Sequence, residues 1–311
     1  MRRGPLYRET YRPRLSGHET FPLRYGWLKK AFDAVEDSAD DTSAKFVFLA
    51  DDAIARFGVG KNMVASIRHW ANATGVLDED ASLNGRATTP VGNLLFGREG
   101  VDPYFEHPAT AWLIHWQLAG RARKTTWHWA FNYYPSIFFD REQLASGLLS
   151  LARDRGWSRA APATVKTDVA CFIRTYVSMS PSGKASHEDV LESPLTELGL
   201  VKPVGKRDGF RFVRGNKPSL GHGVFCYAIT DFWSQFSAAR TLSLEAIAHE
   251  PGSPGRVFLL DENSLAERLM HLEESSNGLY RWSETAGLKQ LERTREMSAV
   301  DALEFVAKDY P

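Results

Sequence analysis

His18-Glu19 and the pair Asp102 and Glu106 are the side chains whose types and spacing suggest chemistry. A carboxylate beside an imidazole can hold a divalent cation or move a proton. The same dipeptide also fits a helix entry, with Glu19 capping through Thr20 before the chain bends at Pro22. Asp102 and Glu106 stand four apart across Pro103, and two carboxylates can share a Mg²⁺. An Asp-Pro turn with an acidic first helical turn explains them equally through capping and the helix dipole. The candidate catalytic set is therefore His18, Glu19, Asp102 and Glu106, with Glu19 and Asp102 as candidate metal ligands. A second set suits nucleic acid: Lys61, Asn62, Ser66, Arg68 and His69. Asn reads adenine, and Arg and Lys favour guanine or phosphate. A winged helix that carries such residues can equally serve as a protein–protein module, so both readings stand.

Two further clusters have ambiguous chemistry. Thr125 to Tyr134 is densely aromatic and follows Arg121, Arg123 and Lys124. Aromatics beside cations stack unpaired bases, and they also build cores. Asp168 and Arg174 are six apart on a helical pattern and suit a buried ion pair. The nine histidines have no HExxH, HxH or zinc-finger spacing, and Cys171 and Cys226 form no metal motif or disulfide framework. There is no P-loop, GxGxxG or GxSxG, and Gly58 to Lys61 lacks Walker spacing.

Helices must position these residues. Asp51 to Phe57 reads as a short helix, Gly58-Val59-Gly60 as a break, and Lys61 to Thr74 as a longer helix. Met63, Val64, Ile67, Trp70 and Ala71 line one face of that helix, and Gly75 stops it. Two helices about a glycine turn predict a helix-turn-helix. A β-hairpin wing between Leu77 and Thr88, then Thr89-Pro90 to Leu95, would close a winged domain. The expected fold is mainly α (α+β). A basic arm (1–16) precedes a winged helix-turn-helix domain (17–100). An α-rich, aromatic-rich central domain (101–250) follows, then a small α-rich C-terminal module (256–311) after Pro251-Gly252-Ser253-Pro254-Gly255. Val257 to Leu260 reads as a strand, and Ser264 to Glu267 as a capping box.

The 311 residues carry 38 Lys+Arg and 38 Asp+Glu, which counts against non-specific nucleic-acid binding over the whole surface. The charge is uneven. Residues 1–30 hold eight Lys/Arg against Glu9 and Glu19, and Lys202 to Lys217 form a second basic run. No apolar run approaches the roughly 20 residues that cross a bilayer, and the N-terminus has no apolar signal core. With two cysteines, these features predict a cytoplasmic protein with no membrane partner.

Several motifs resemble a known family. They include Gly17-His18-Glu19-Thr20-Phe21-Pro22-Leu23-Arg24-Tyr25-Gly26-Trp27-Leu28-Lys29-Lys30, Gly58 to Val64 with Ile67-Arg68-His69-Trp70, and Asp102-Pro103-Tyr104. Trp112 to Trp116, Thr126-Trp127, Phe131-Asn132, Asp168 and Arg174-Thr175-Tyr176 continue the likeness. It is similar to a bacterial domain-of-unknown-function family of DNA phosphorothioation operons, which includes SspB-like DNA-nicking proteins. The resemblance implies a DNA endonuclease (nickase) that opens one strand of double-stranded DNA for sulfur-for-oxygen modification in phage defence. It implies Mg²⁺ as cofactor, and cysteine desulfurase, ATPase and ATP-pyrophosphatase-like proteins as partners. The alternatives are a non-catalytic DNA-binding adaptor and a winged-helix transcriptional regulator.

Overall fold

The computed structural model describes residues 3–38, 47–78, 88–178, 192–205, 208–285 and 287–311. The helices open with α1 (Trp27–Glu36), α2 (Ala53–Phe57), α3 (Lys61–Ala73), α4 (Pro90–Phe96), α5 (Pro108–Ala119) and α6 (Thr125–Asn132). Strand β1 (Phe138–Asp140) leads to α7 (Arg141–Asp154) and α8 (Pro162–Tyr176), then a 3-10 turn at Pro194–Leu198. Strands β2 (Val201–Val204) and β3 (Gly209–Phe212) precede α9 (His222–Phe236). Next come β4 (Thr241–Ser243), α10 (Leu244–His249), α11 (Pro254–Val257), α12 (Glu262–Met270) and α13 (Leu272–Ser275). Strands β5 (Tyr280–Thr285) and β6 (Leu288–Arg293), then α14 (Leu303–Ala307), end the order. The architecture is α+β: mainly helices, with two three-stranded antiparallel sheets ordered β1-β3-β2 and β4-β6-β5.

Periodicity explains the principal helices. α1 buries Trp27, Leu28, Ala31, Phe32 and Val35, and α3 buries Val64, Ile67, Trp70 and Ala71 against it. α5 is buried on every side, as its lack of a polar face requires. Start signals are chemical as well. Thr89 accepts from Gly92 N at α4, and Asp140 with Gln143 forms a capping box at α7. Asp309, near the end of the chain, caps α9 by accepting from Gly223 N and Val224 N, both at 2.8 Å. The buried residues form one hydrophobic cluster running from Leu6 to Val306.

Several local expectations change. Val257 to Leu260 is not a strand: the run ends α11 and enters a buried loop, with Leu259 at φ 52°. The cap before Leu265 is Asp261, which accepts from Ser264 N, rather than a box opening at Ser264. The C-terminal segment contains the β5–β6 hairpin, whose β6 is the central strand and also pairs with β4 from before the Pro-Gly segment. Of the expected wing, only the bridge between Leu77 and Thr88 is described, and residues 79–87 lie outside the described residues. So do Lys206 and Arg207 of the second basic run.

Two core histidines make the fold sensitive to acid. Burial pulls His115 and His128 down to about 4, against the raising effect of hydrogen bonds to Val257 O and Ala119 O. Both are neutral in the fold, and an unfolded His takes up a proton near pH 6.5. Their contribution is therefore complete above pH 6.5 and is lost as pH falls from 6.5 to about 4. The limit is about 3 kcal/mol apiece. Calorimetry should show Tm falling over this window, and a flat Tm would contradict the assignment.

Candidate functional site

Asp168 on α8 has no exposed surface and is densely hydrogen-bonded. It accepts from Ser16 N at 3.0 Å, His18 Nε2 at 2.8 Å and Lys124 Nζ at 3.2 Å, and Thr126 Oγ1 donates to its other oxygen. Burial opposes the charge, but Lys124 and the hydrogen bonds from His18 and Thr126 outweigh it. They hold the carboxyl well below the usual carboxylate range. Lys124 is 1 % exposed, donates also to Ser16 O at 3.1 Å, and lies over the Trp127 ring.

This hub fastens the 16–21 loop to α3. His18 Nδ1 accepts from Thr20 N, Ser66 Oγ donates to His18 O at 3.0 Å, and Trp70 Nε1 donates to Phe21 O at 3.1 Å. The loop uses left-handed backbone at Ser16, Gly17, Glu19 and Thr20. At Gly17, φ 86°, an added Cβ would fall 2.6 Å from His69 Nδ1. Gly17→Ala should therefore destabilise the fold by at least about 1 kcal/mol. Urea unfolding checks this, and an unchanged midpoint would show that the loop can shift.

Next to the hub lies an open groove of about 780 Å³, lined by Arg8, Arg12, Arg14, Arg121 and Arg123 against Asp78 and Asp231. The N-terminal arm forms one wall, because Tyr11 Oη donates to Ala122 O and bonds Thr125 Oγ1 at 2.8 Å. Arg14 N also donates to Thr125 Oγ1, at 2.7 Å. The opposite wall is α9, where Asp231 receives Arg121 through both Nε and Nη2 and also receives Trp116 Nε1 at 2.8 Å. Burial works against the Arg121 cation, but Asp231 more than offsets it and raises its pKa. Burial, and after it the neighbouring Arg121, lower Arg123, with Asp78 acting against them. Guanidinium forks match phosphate oxygens two at a time.

Helix α3 leads into this groove. Lys61, Ala65 and Arg68 are exposed at spacings of four and three, and Asn72, four further on, lines the groove. Asn62 is also exposed. The other two nucleic-acid candidates are placed differently. Ser66 is fully buried under His18 O. His69 is half-buried against Gly17, lowered well below its ordinary pKa by burial, Lys124 and His18. Its Nε2 has no partner among the described residues.

The catalytic candidates are dispersed. His18 has both ring nitrogens in hydrogen bonds. Glu19 and Glu106 are exposed. Asp102 is buried, its oxygens accepting from Glu106 N, His107 N and Thr110 Oγ1 at the entry to α5. Among the described residues no three His, Cys, Asp or Glu side chains stand together to hold a metal. Asp168 pairs with Lys124 and His18, not with Arg174, which donates to Thr20 O. The aromatic block is core, with Trp127, His128, Trp129 and Phe131 all buried.

A family model described as "Protein of unknown function (DUF4007)" matches residues 15–310. Two solved structures are similar. "Magnesium ion-bound SspB crystal structure" superposes with a TM-score of 0.81 at 30% identity, and "SspB crystal structure" with 0.78 at 32%. Each alignment covers 95% of this chain and 87% of the other. No curated protein matches. No helix among the described residues is long and apolar enough to cross a membrane. The chain therefore belongs to the DUF4007 family and is SspB-like in fold.

Proposed function

We propose that this chain is a DNA-binding component of a DNA phosphorothioation system and that it nicks one strand for modification. The observation that carries the DNA-binding part is the arginine-lined groove, continuous with the exposed Lys61–Arg68–Asn72 stripe of α3. Five arginines against Asp78 and Asp231, with Arg121 already paired to Asp231, still leave this concavity positive on a chain of zero net charge, where a phosphate backbone is held and steered. Lys61, Asn62 and Arg68 then reach towards the duplex from α3, in a winged helix-turn-helix arrangement. The nicking part is supported by the likeness to SspB over nearly the whole chain.

One of those SspB structures contains magnesium. The described residues do not fit a preformed Mg²⁺ site here, because Asp102 is committed to α5 and Glu19 is in no acidic cluster. No step of the reaction is assigned to the ion. The same two facts favour a second reading, a non-catalytic adaptor that brings the modification enzymes to DNA. His18, with both nitrogens occupied, fits that reading as well.

Supercoiled plasmid separates the two. Under the nickase reading, purified protein should convert it to open circles in the presence of Mg²⁺ and not in its absence. Duplex binding with no open circles under either condition would leave the adaptor.

A further inference from the structure

A second cavity, of about 390 Å³, opens beside the arginine groove and shares Pro5, Arg8 and Gln235 with it. That size lies within the roughly 300–1,000 Å³ of small-ligand pockets. One wall is aromatic: Phe232 and Phe236 of α9 stack at 5.0 Å and 19°, beside Trp116. Phe232 and Trp116 are buried, whereas Phe236 at the helix end is 44 % exposed and presents a ring to the opening. The facing wall is the arm. Gly4 adopts φ 89°, and an added Cβ there would lie 2.4 Å from Tyr133 Oη and 2.8 Å from Pro251 Cβ. Only glycine lets the arm come this close. Arg3 closes the far end through an ion pair with Glu250 at 2.6 Å.

We propose that this cavity takes one unpaired nucleobase from a strand whose phosphates lie in the arginine groove. The inference rests on the DNA-binding reading above and extends it. Arg8 borders both spaces, so a backbone held in the groove passes the mouth of the cavity. A base has an apolar face and polar edges. The exposed Phe236 ring suits the face, and the Gln235 amide and Glu250 carboxylate suit the edges. A base inside a duplex reaches a side cavity only by leaving the stack, and this costs least where it is already unpaired. Charge complementarity selects nucleic acid over an apolar peptide, because the side open to the groove carries Arg8 and leads to the groove's other arginines.

The test uses the full chain and two duplexes, one fully paired and one with a single unpaired 2-aminopurine. Wild type should prefer the unpaired duplex, and 2-aminopurine fluorescence should change as the base leaves the stack. Phe236→Ala should reduce that preference, as a ratio of affinities, about tenfold. Phe236→Trp, which keeps a ring, should retain it. Equal binding of both duplexes with no fluorescence change would overturn the cavity assignment and leave the groove intact. Binding to neither duplex would overturn the DNA-binding reading itself.

Discussion

Asp168→Ala should lower folding stability by about 3–5 kcal/mol, the cost of leaving a buried charge without its partner. Lys124, 1 % exposed, would keep its ammonium beside Ser16 O and the Trp127 ring with no counter-charge. Ser16 N and Thr126 Oγ1 would lose their acceptor too. Much of this loss belongs to the orphaned lysine, so Asp168→Ala with Lys124→Met should recover part of it. Chemical unfolding measures both, and a loss under 1 kcal/mol for the single change would remove Asp168 from the centre of the fold. The pH dependence follows from the depressed carboxyl. Its stabilisation is present above the ordinary carboxylate range and is lost only as pH falls below that range.

The second large effect is on DNA. Arg8 and Arg12 are exposed, and among the described residues Arg12 Nη1 donates to the local carbonyls Glu9 O and Tyr11 O. Replacing both with alanine should leave Tm nearly unchanged. Each lost phosphate contact should cut duplex affinity about tenfold at 0.1 M salt and reduce the salt slope by about 1. Together the two changes should give a loss of roughly 50–100-fold and a slope smaller by about 2. Fluorescence anisotropy across a salt series reads both quantities. Unchanged affinity and slope would show that DNA does not use the groove.

Local periodicity made α3 legible. Apolar positions three and four apart place α3 close to its observed limits, Lys61–Ala73. Long-range polar contacts were not legible. His18 and Asp168 are 150 residues apart and Lys124 and Asp168 are 44 apart, so no spacing rule could pair them. Arg174, six residues along α8 and the partner its helical pattern offers Asp168, turns instead to Thr20 O. Ser66 and His69 lie off the apolar stripe of α3, which suggested solvent. The 16–21 loop covers that side of the helix, a surface the helix pattern cannot reveal. Both halves of the groove were visible as basic segments, 1–16 and Arg121 to Lys124. Their meeting depends on Tyr11 and Thr125, an uncharged pair 114 residues apart. The aromatic block at 125–134 has two readings, and the burial of Thr125 to Asn132 decides for core.

Site-specific photocrosslinking tests the central claim, that the arginine groove holds DNA, most directly. Ser234 is exposed and lines the groove, whereas Met270 is exposed on α12 and lines neither cavity. With a photoreactive residue at one position or the other, irradiation with duplex DNA should give a covalent complex from position 234 and little from position 270. Equal yields at the two positions, or a complex from 270 alone, would contradict the account.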